Sequence, residues 1–216
     1  MMRPERFQSL GEEIANSVTH GVGALAFAAG IPFLVVAALP GGVPSVVGSV
    51  VFGASLVLLY VSSTIYHSLA RNRAKRVFRV IDHSAIFVLI AGTYTPFTLG
   101  VLRGVWGWTL FGVVWALAAA GIALTASLGI RFPKASTAVY IGMGWLIVVA
   151  IKPLVAHVPP VGLAWLAGGG LCYTAGTAIY GWGRPRYQHT IWHLLVLAGS
   201  VCHWIAVAGY ATPRIA

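Results

Sequence analysis

The chain has 216 residues, of which 58% are hydrophobic and 8% charged, and its mean hydropathy is +0.86. Soluble domains carry about 25% charged residues, so this composition excludes a soluble globular protein and points to an all-α integral membrane protein. A net charge of +10 would suggest nucleic acid in a soluble chain. Here it reads as loops facing anionic membrane lipid, because no basic and aromatic surface remains for nucleic acid once the apolar stretches are drawn.

Residues 1–16 read as a cytoplasmic N-terminal segment. Arg3 and Arg6 are mixed there with Glu5, Glu12 and Glu13 before any long apolar run, which is not the pattern of a cleavable signal peptide. Residues 17–216 then read as one seven-transmembrane helix bundle, with apolar stretches at 17–38, 44–69, 80–101, 105–128, 135–152, 161–181 and 188–210. Proline and glycine mark the breaks, as in Leu39 to Pro44 and Val158 to Pro160. Pro32 and Pro96 fall inside stretches, where a kink is expected. Gly142, Gly144, Gly168 and Gly176 predict close helix packing. Trp106, Trp108, Trp182 and Trp192 stand at the ends of stretches, as in an interfacial aromatic belt. Cys172 and Cys202 lie within apolar stretches without metal-type spacing and read as small core residues.

Orientation follows from the cations. With the N-terminus cytoplasmic, the inner side holds Arg3, Arg6, Arg71, Arg73, Lys75, Arg76, Arg79, Arg131, Lys134, Arg184 and Arg186. The outer side keeps Arg103, Lys152 and Arg214, so eleven of the 14 basic residues are inside. This bias predicts a cytoplasmic N-terminus and an outside C-terminus.

That topology gathers the polar residues at one membrane depth. The second stretch ends inside with Ser62-Ser63-Thr64-Ile65-Tyr66-His67, the third begins with Asp82-His83, and the seventh begins with His189 and His193. The first begins with Asn16, Thr19 and His20. Imidazoles are costly in hydrocarbon and call for a function. His189 and His193 are four apart, hence on one helix face. With His67 they supply three nitrogen ligands, and a tetrahedral Zn²⁺ would keep its fourth position for water, the catalytic pattern.

Ser63 lies one turn before His67, within reach of that water or of substrate. Asp82 is one of four acidic residues, and the other three are N-terminal. It is therefore the expected orienting carboxylate and general base, or else an acid in the first turn of its helix. Thr190 stands where a metalloprotease H-E-x-x-H helix has its glutamate, so the carboxylate must come from another helix. Glu13, Asn16 and His20 share one face, as caps, as a polar network below the site or as part of the catalytic machinery. His83 points about 100° away from Asp82, towards headgroups. His157 belongs to an outer loop. His203, about 15 Å beyond His193, predicts an interhelical hydrogen bond.

Several motifs in one order carry a resemblance over nearly the whole chain. They are Glu13 to Gly21, Ser62 to His67, Asp82-His83 with Ala91 to Pro96, Pro133-Lys134 with Tyr140 to Trp145, and His189 to His193. The chain resembles the bacterial hemolysin III family within the progestin and adipoQ receptor superfamily. The resemblance implies seven helices in a bacterial inner (plasma) membrane with the N-terminus inside. It implies zinc on His67, His189 and His193, with Asp82 and Ser63 holding water beside it. More distantly, it implies similarity to alkaline ceramidases.

The functional expectation is a zinc-dependent hydrolase of lipid amide or ester bonds acting on an amphipathic membrane lipid. The alternatives are a non-enzymatic sensor or receptor-like protein with structural zinc, an oligomeric cytolytic pore, and a proton or ion carrier. A monomeric pore is disfavoured because the outer halves of the stretches offer few polar groups to wet a path.

Overall fold

The computed structural model describes residues 8–182 and 186–213, the side chain of Trp182 excepted. Arg3, Glu5, Arg6, Arg184 and Arg214, used above, lie outside that range. Among the described residues there are eight α-helices and no strand: α1 (Leu10–Ala38), α2 (Gly42–Ser68), α3 (Arg73–Leu99), α4 (Val105–Leu128), α5 (Pro133–Trp145), α6 (Ile151–His157), α7 (Pro160–Trp182) and α8 (Gln188–Tyr210). Short 3-10 turns join α1 to α2 (Leu39–Gly41) and α5 to α6 (Leu146–Ala150).

The first helix begins at Leu10 rather than at residue 17, because a capping box starts it. The Ser9 N–H and hydroxyl donate to Glu12 Oε2 at 2.8 and 3.0 Å, and the Glu12 N–H returns a bond to Ser9 Oγ at 3.4 Å. Orphan amides of the first turn are thereby satisfied. Residues 10–16 of the expected N-terminal segment are thus helical, as the first turns of α1. The third helix likewise begins earlier, at Arg73, where Asn72 Oδ1 accepts the Lys75 N–H at 3.0 Å. Asp82 is consequently well inside α3, which overturns the first-turn reading of its carboxylate.

Helices α1 and α2 run antiparallel, folded back at Gly42, whose φ of +72° suits a residue without Cβ. Ser17 Oγ ties the start of α1 to the end of α2, donating to the Thr64 carbonyl at 3.3 Å. The fully buried core of this pair includes Phe52, Leu56 and Tyr60. A second cluster joins Phe87, Ala91 and Tyr94 of α3 to Val114 and Ala118 of α4 and Met143 of α5.

The fifth apolar stretch, expected as one helix over 135–152, is broken into α5, a 3-10 turn and α6. Tyr94 explains the break. Its hydroxyl donates to the Met143 and Gly144 carbonyls at 2.8 and 3.0 Å and accepts the Ile147 N–H at 2.9 Å. A side chain from α3 thus satisfies backbone groups that the helix gives up. His157 closes α6 rather than standing in a loop, and its Nδ1 donates to the Pro153 carbonyl at 2.8 Å.

The outside of the molecule is apolar: Leu25, Phe33 and Val105 are 75%, 67% and 85% exposed. Large aliphatic and aromatic side chains facing outward on long helices are what a hydrocarbon solvent requires. Among the described residues, five helical stretches are long and apolar enough to cross a membrane, one of them the 59-residue Leu10–Ser68 pair. The protein is a helical membrane bundle.

Candidate metal centre

Two helices deliver the centre. His67 is in the last turn of α2 and His189 and His193 are in the first two turns of α8, and each offers a nitrogen within 4.8 Å of the other two. The ring centroids lie 5.0 Å apart for His67 and His189, 4.9 Å for His67 and His193, and 4.6 Å for His189 and His193. His67 and His193 are buried.

Two of the rings are held from behind. His67 Nδ1 donates to Glu13 Oε2 at 2.7 Å, and His193 Nδ1 to the Asn16 carbonyl at 3.3 Å. Such bonds fix the ring and its tautomer and leave the opposite nitrogen as a lone-pair donor. His67 Nε2 is buried with no hydrogen-bond partner. A buried nitrogen without a partner, inside a three-imidazole cluster, fits a divalent cation of zinc type.

The supports are themselves braced. Glu13 Oε1 accepts from Lys75 Nζ at 2.9 Å, and Lys75 also donates to the Leu69 carbonyl at 3.1 Å while lying over the Tyr66 ring. One carboxylate therefore joins α1, α2 and α3 behind the centre. Asn16 accepts from Thr190 at 2.6 Å through its side-chain oxygen and donates to Gln8 at 2.7 Å. Glu12 Oε1 accepts the Tyr187 N–H at 2.9 Å. Tyr187 has a left-handed φ of 59°, and its carbonyl takes the Ile191 N–H at the start of α8. This contact fixes where α8 begins, and hence where His189 and His193 point.

His20 lies flat on His193, with ring centroids 3.5 Å apart and planes 12° from parallel. Both His20 nitrogens are buried without a partner. Glu13 and Asn16 each hold one ring of the cluster by a hydrogen bond and His20 stacks on another face of it, while Glu12 rather than Glu13 closes the capping box.

Ser63 donates a side-chain hydrogen bond to Asp82, linking α2 to α3. The nearest nitrogen of His83 is 3.7 Å from Asp82, and the ring donates from Nδ1 to the Arg79 carbonyl at 2.9 Å. Glu13 is a carboxylate that hydrogen-bonds a clustered histidine. Sequence reasoning missed that role for Glu13, and missed Glu12 and Lys75 altogether; the shared face of Glu13, Asn16 and His20 was the available signal.

His203 makes the expected interhelical bond, to the Leu166 carbonyl at 3.3 Å. Trp106 and Trp108 are exposed, as an interfacial belt requires, whereas Trp192 is part-buried and packs against Gly176. Gly142 and Gly144 do not serve close packing, since a Cβ on either would meet nothing within 4 Å.

A cavity of about 310 Å³ has Leu59, Ile86 and Val196 in its lining, each about one helical turn from Ser63, Asp82 and His193 respectively. Ile86, four residues beyond Asp82, and Trp192, next to His193, line its near end, and its walls are overwhelmingly apolar. A family model for haemolysin-III-related proteins matches residues 8–204. The chain belongs to this family.

Among haemolysin III relatives, it is 45% identical to the Hemolysin-3 of Bacillus cereus over 95% of this chain and 94% of that protein. It is also 45% identical to the Hemolysin-3 homolog of Bacillus subtilis (strain 168), over 94% of this chain and 95% of the relative. A more distant relative is the Monocyte to macrophage differentiation factor of Homo sapiens, 26% identical over 74% of this chain and 68% of that protein. The matched residues 8–204 of this haemolysin III protein include every residue of the histidine cluster and its supports.

Proposed function

We propose that this haemolysin III protein crosses a bacterial plasma membrane seven times, N-terminus inside and C-terminus outside. In this reading it binds Zn²⁺ through His67, His189 and His193 and hydrolyses an amide or ester bond of an amphipathic lipid. The observation that carries the reading is the pairing of a three-imidazole cluster with an apolar cavity that starts one helical turn away.

A bound Zn²⁺ would polarise the acyl carbonyl and bring the pKa of water down towards about 7. The chain supplies the rest. Asp82, steadied by the Ser63 hydroxyl, takes a proton from the attacking water and passes it to the leaving amine or alkoxide. Glu13 and the Asn16 carbonyl hold His67 and His193 in one tautomer and orientation. The cavity takes the acyl chain and keeps bulk water from it.

The test is release of fatty acid from a panel of N-acyl and O-acyl lipids by zinc-replete protein, beside elemental analysis. Turnover is expected in the wild type and absent in His193→Ala, which loses the metal. Asp82→Asn is expected to keep the metal and lose turnover. Fully loaded wild type that cleaves no lipid, next to an active ceramidase, would defeat the reading.

The name Hemolysin-3 borne by the relatives favours a second reading, a cytolytic oligomer with structural zinc. Dye leakage from liposomes that persists after replacement of all three histidines would establish lysis in place of hydrolysis. Reporter fusions at the C-terminus test the orientation.

A further inference from the structure

The cavity is shaped for a chain. On α3 its wall runs from Ile86 to Thr98, about 18 Å of helix, and on α8 it runs from Trp192 beside His193 out to His203, about 15 Å further along the axis. The far end is not purely apolar, because Tyr173 and His203 line it.

His203 is 8% exposed, and its Nε2 faces the Leu166 carbonyl at 3.3 Å. A carbonyl only accepts, so in the neutral ring Nε2 carries the proton and Nδ1 is a bare acceptor. That Nδ1 is buried with no partner. The neighbouring polar groups do not serve it. Tyr60 donates to Ser200 Oγ at 2.9 Å, and the Tyr173 hydroxyl is 2.9 Å from the same oxygen. None of the three hydroxyls partners Nδ1, and the Tyr173 ring centroid stands 5.3 Å from that of His203. A buried acceptor beside an apolar cavity is a cost to folding unless a donor fills it.

We propose that His203 anchors a hydroxyl carried by the bound acyl chain, so that the cavity selects hydroxylated over plain acyl chains. The axial distance from His193 to His203, about 15 Å, places that hydroxyl roughly a dozen carbons from the carbonyl end. The placement of the carbonyl at the histidine cluster rests on the hydrolase reading; the preference for a donor at His203 does not.

The experiment is therefore one of binding. Purified full-length protein in nanodiscs is loaded with a fluorescent fatty acid, which is displaced by stearic, 12-hydroxystearic or 12-ketostearic acid. The hydroxy acid is expected to compete about fivefold more tightly than stearic acid, the worth of one net hydrogen bond. The keto acid, which accepts but cannot donate, is expected to lose that advantage in the wild type itself. His203→Phe, which keeps an aromatic ring but has no ring nitrogen, is expected to bind both saturated and hydroxy acids equally.

Equal competition by stearic and hydroxystearic acids, an equal gain for the keto acid, or displacement by none of the three would overturn the proposal. The keto comparison needs no variant, so a misfolded His203→Phe leaves the test intact. A protein that shows the preference but cleaves no lipid would refute the hydrolase reading alone.

Discussion

Where α2 meets α3, Gly48 leaves so little room that a Cβ would sit 2.7 Å from the Pro96 Cα; at Gly142 and Gly144 of α5 it would meet nothing within 4 Å. The two regions do different work. Helices α1, α2, α3 and α8 are locked by small residues and by the Glu13, Asn16 and Ser63 hydrogen bonds, as a site needing fixed imidazole positions requires. Helix α5 is short and broken, and touches α3, α4 and α7 only lightly. It forms a wall of the cavity through Tyr140, Ile141, Gly144 and Trp145. In one membrane bundle, tight packing thus sets the chemistry and loose packing leaves room for a ligand.

The contrast can be broken most severely at the locked side. Glu13→Gln keeps the shape of the side chain but weakens the charge-assisted bonds to His67 and Lys75, and should lower zinc affinity by about 10- to 100-fold. Chelator competition measures this, and unchanged affinity would show that the carboxylate only ties α1 to α2 and α3. Gly48→Ala forces the α2 and α3 backbones apart and should cost about 1–3 kcal/mol, read as a lower unfolding midpoint in detergent.

Tyr94→Phe leaves the Met143 and Gly144 carbonyls and the Ile147 N–H without their shared partner. It should cost about 1–2 kcal/mol, with amide exchange rising first at Leu146–Ala150. Gly142→Ala is the smallest change. It has open space around it and should move stability by less than about 0.5 kcal/mol or raise it slightly through helix propensity. A large loss there would mean that α5 packs more tightly than described.

Most of the helix positions were legible because a bilayer demands long apolar runs, a signal that survives without any alignment. The helix starts were not. Hydropathy marks where a helix enters hydrocarbon, whereas Ser9 and Asn72 start α1 and α3 through hydrogen bonds in polar sequence. The histidine cluster was readable from the i, i+4 pair and from shared depth with His67.

Its supports were harder to see. Glu13 touches His67 across 54 residues of sequence, and no spacing rule encodes a pairing between helices. Asp82 drew attention because acids are scarce, yet scarcity says only that a carboxylate has a role. Which partner it meets, Ser63 in this case, depends on how α3 is rotated against α2. The break after Trp145 was invisible for a related reason, since its cause, Tyr94, lies on another helix.

The scarcity of carboxylates has a practical consequence. The chain has only four acidic side chains, and Glu12, Glu13 and Asp82 all lie on the helices that surround the histidines. A carbodiimide reagent, which couples amines to carboxyls, therefore has almost no background on this protein. Mass-spectrometric mapping of which of the three reacts, with and without a bound cation or lipid, would report on the centre directly and without a mutation.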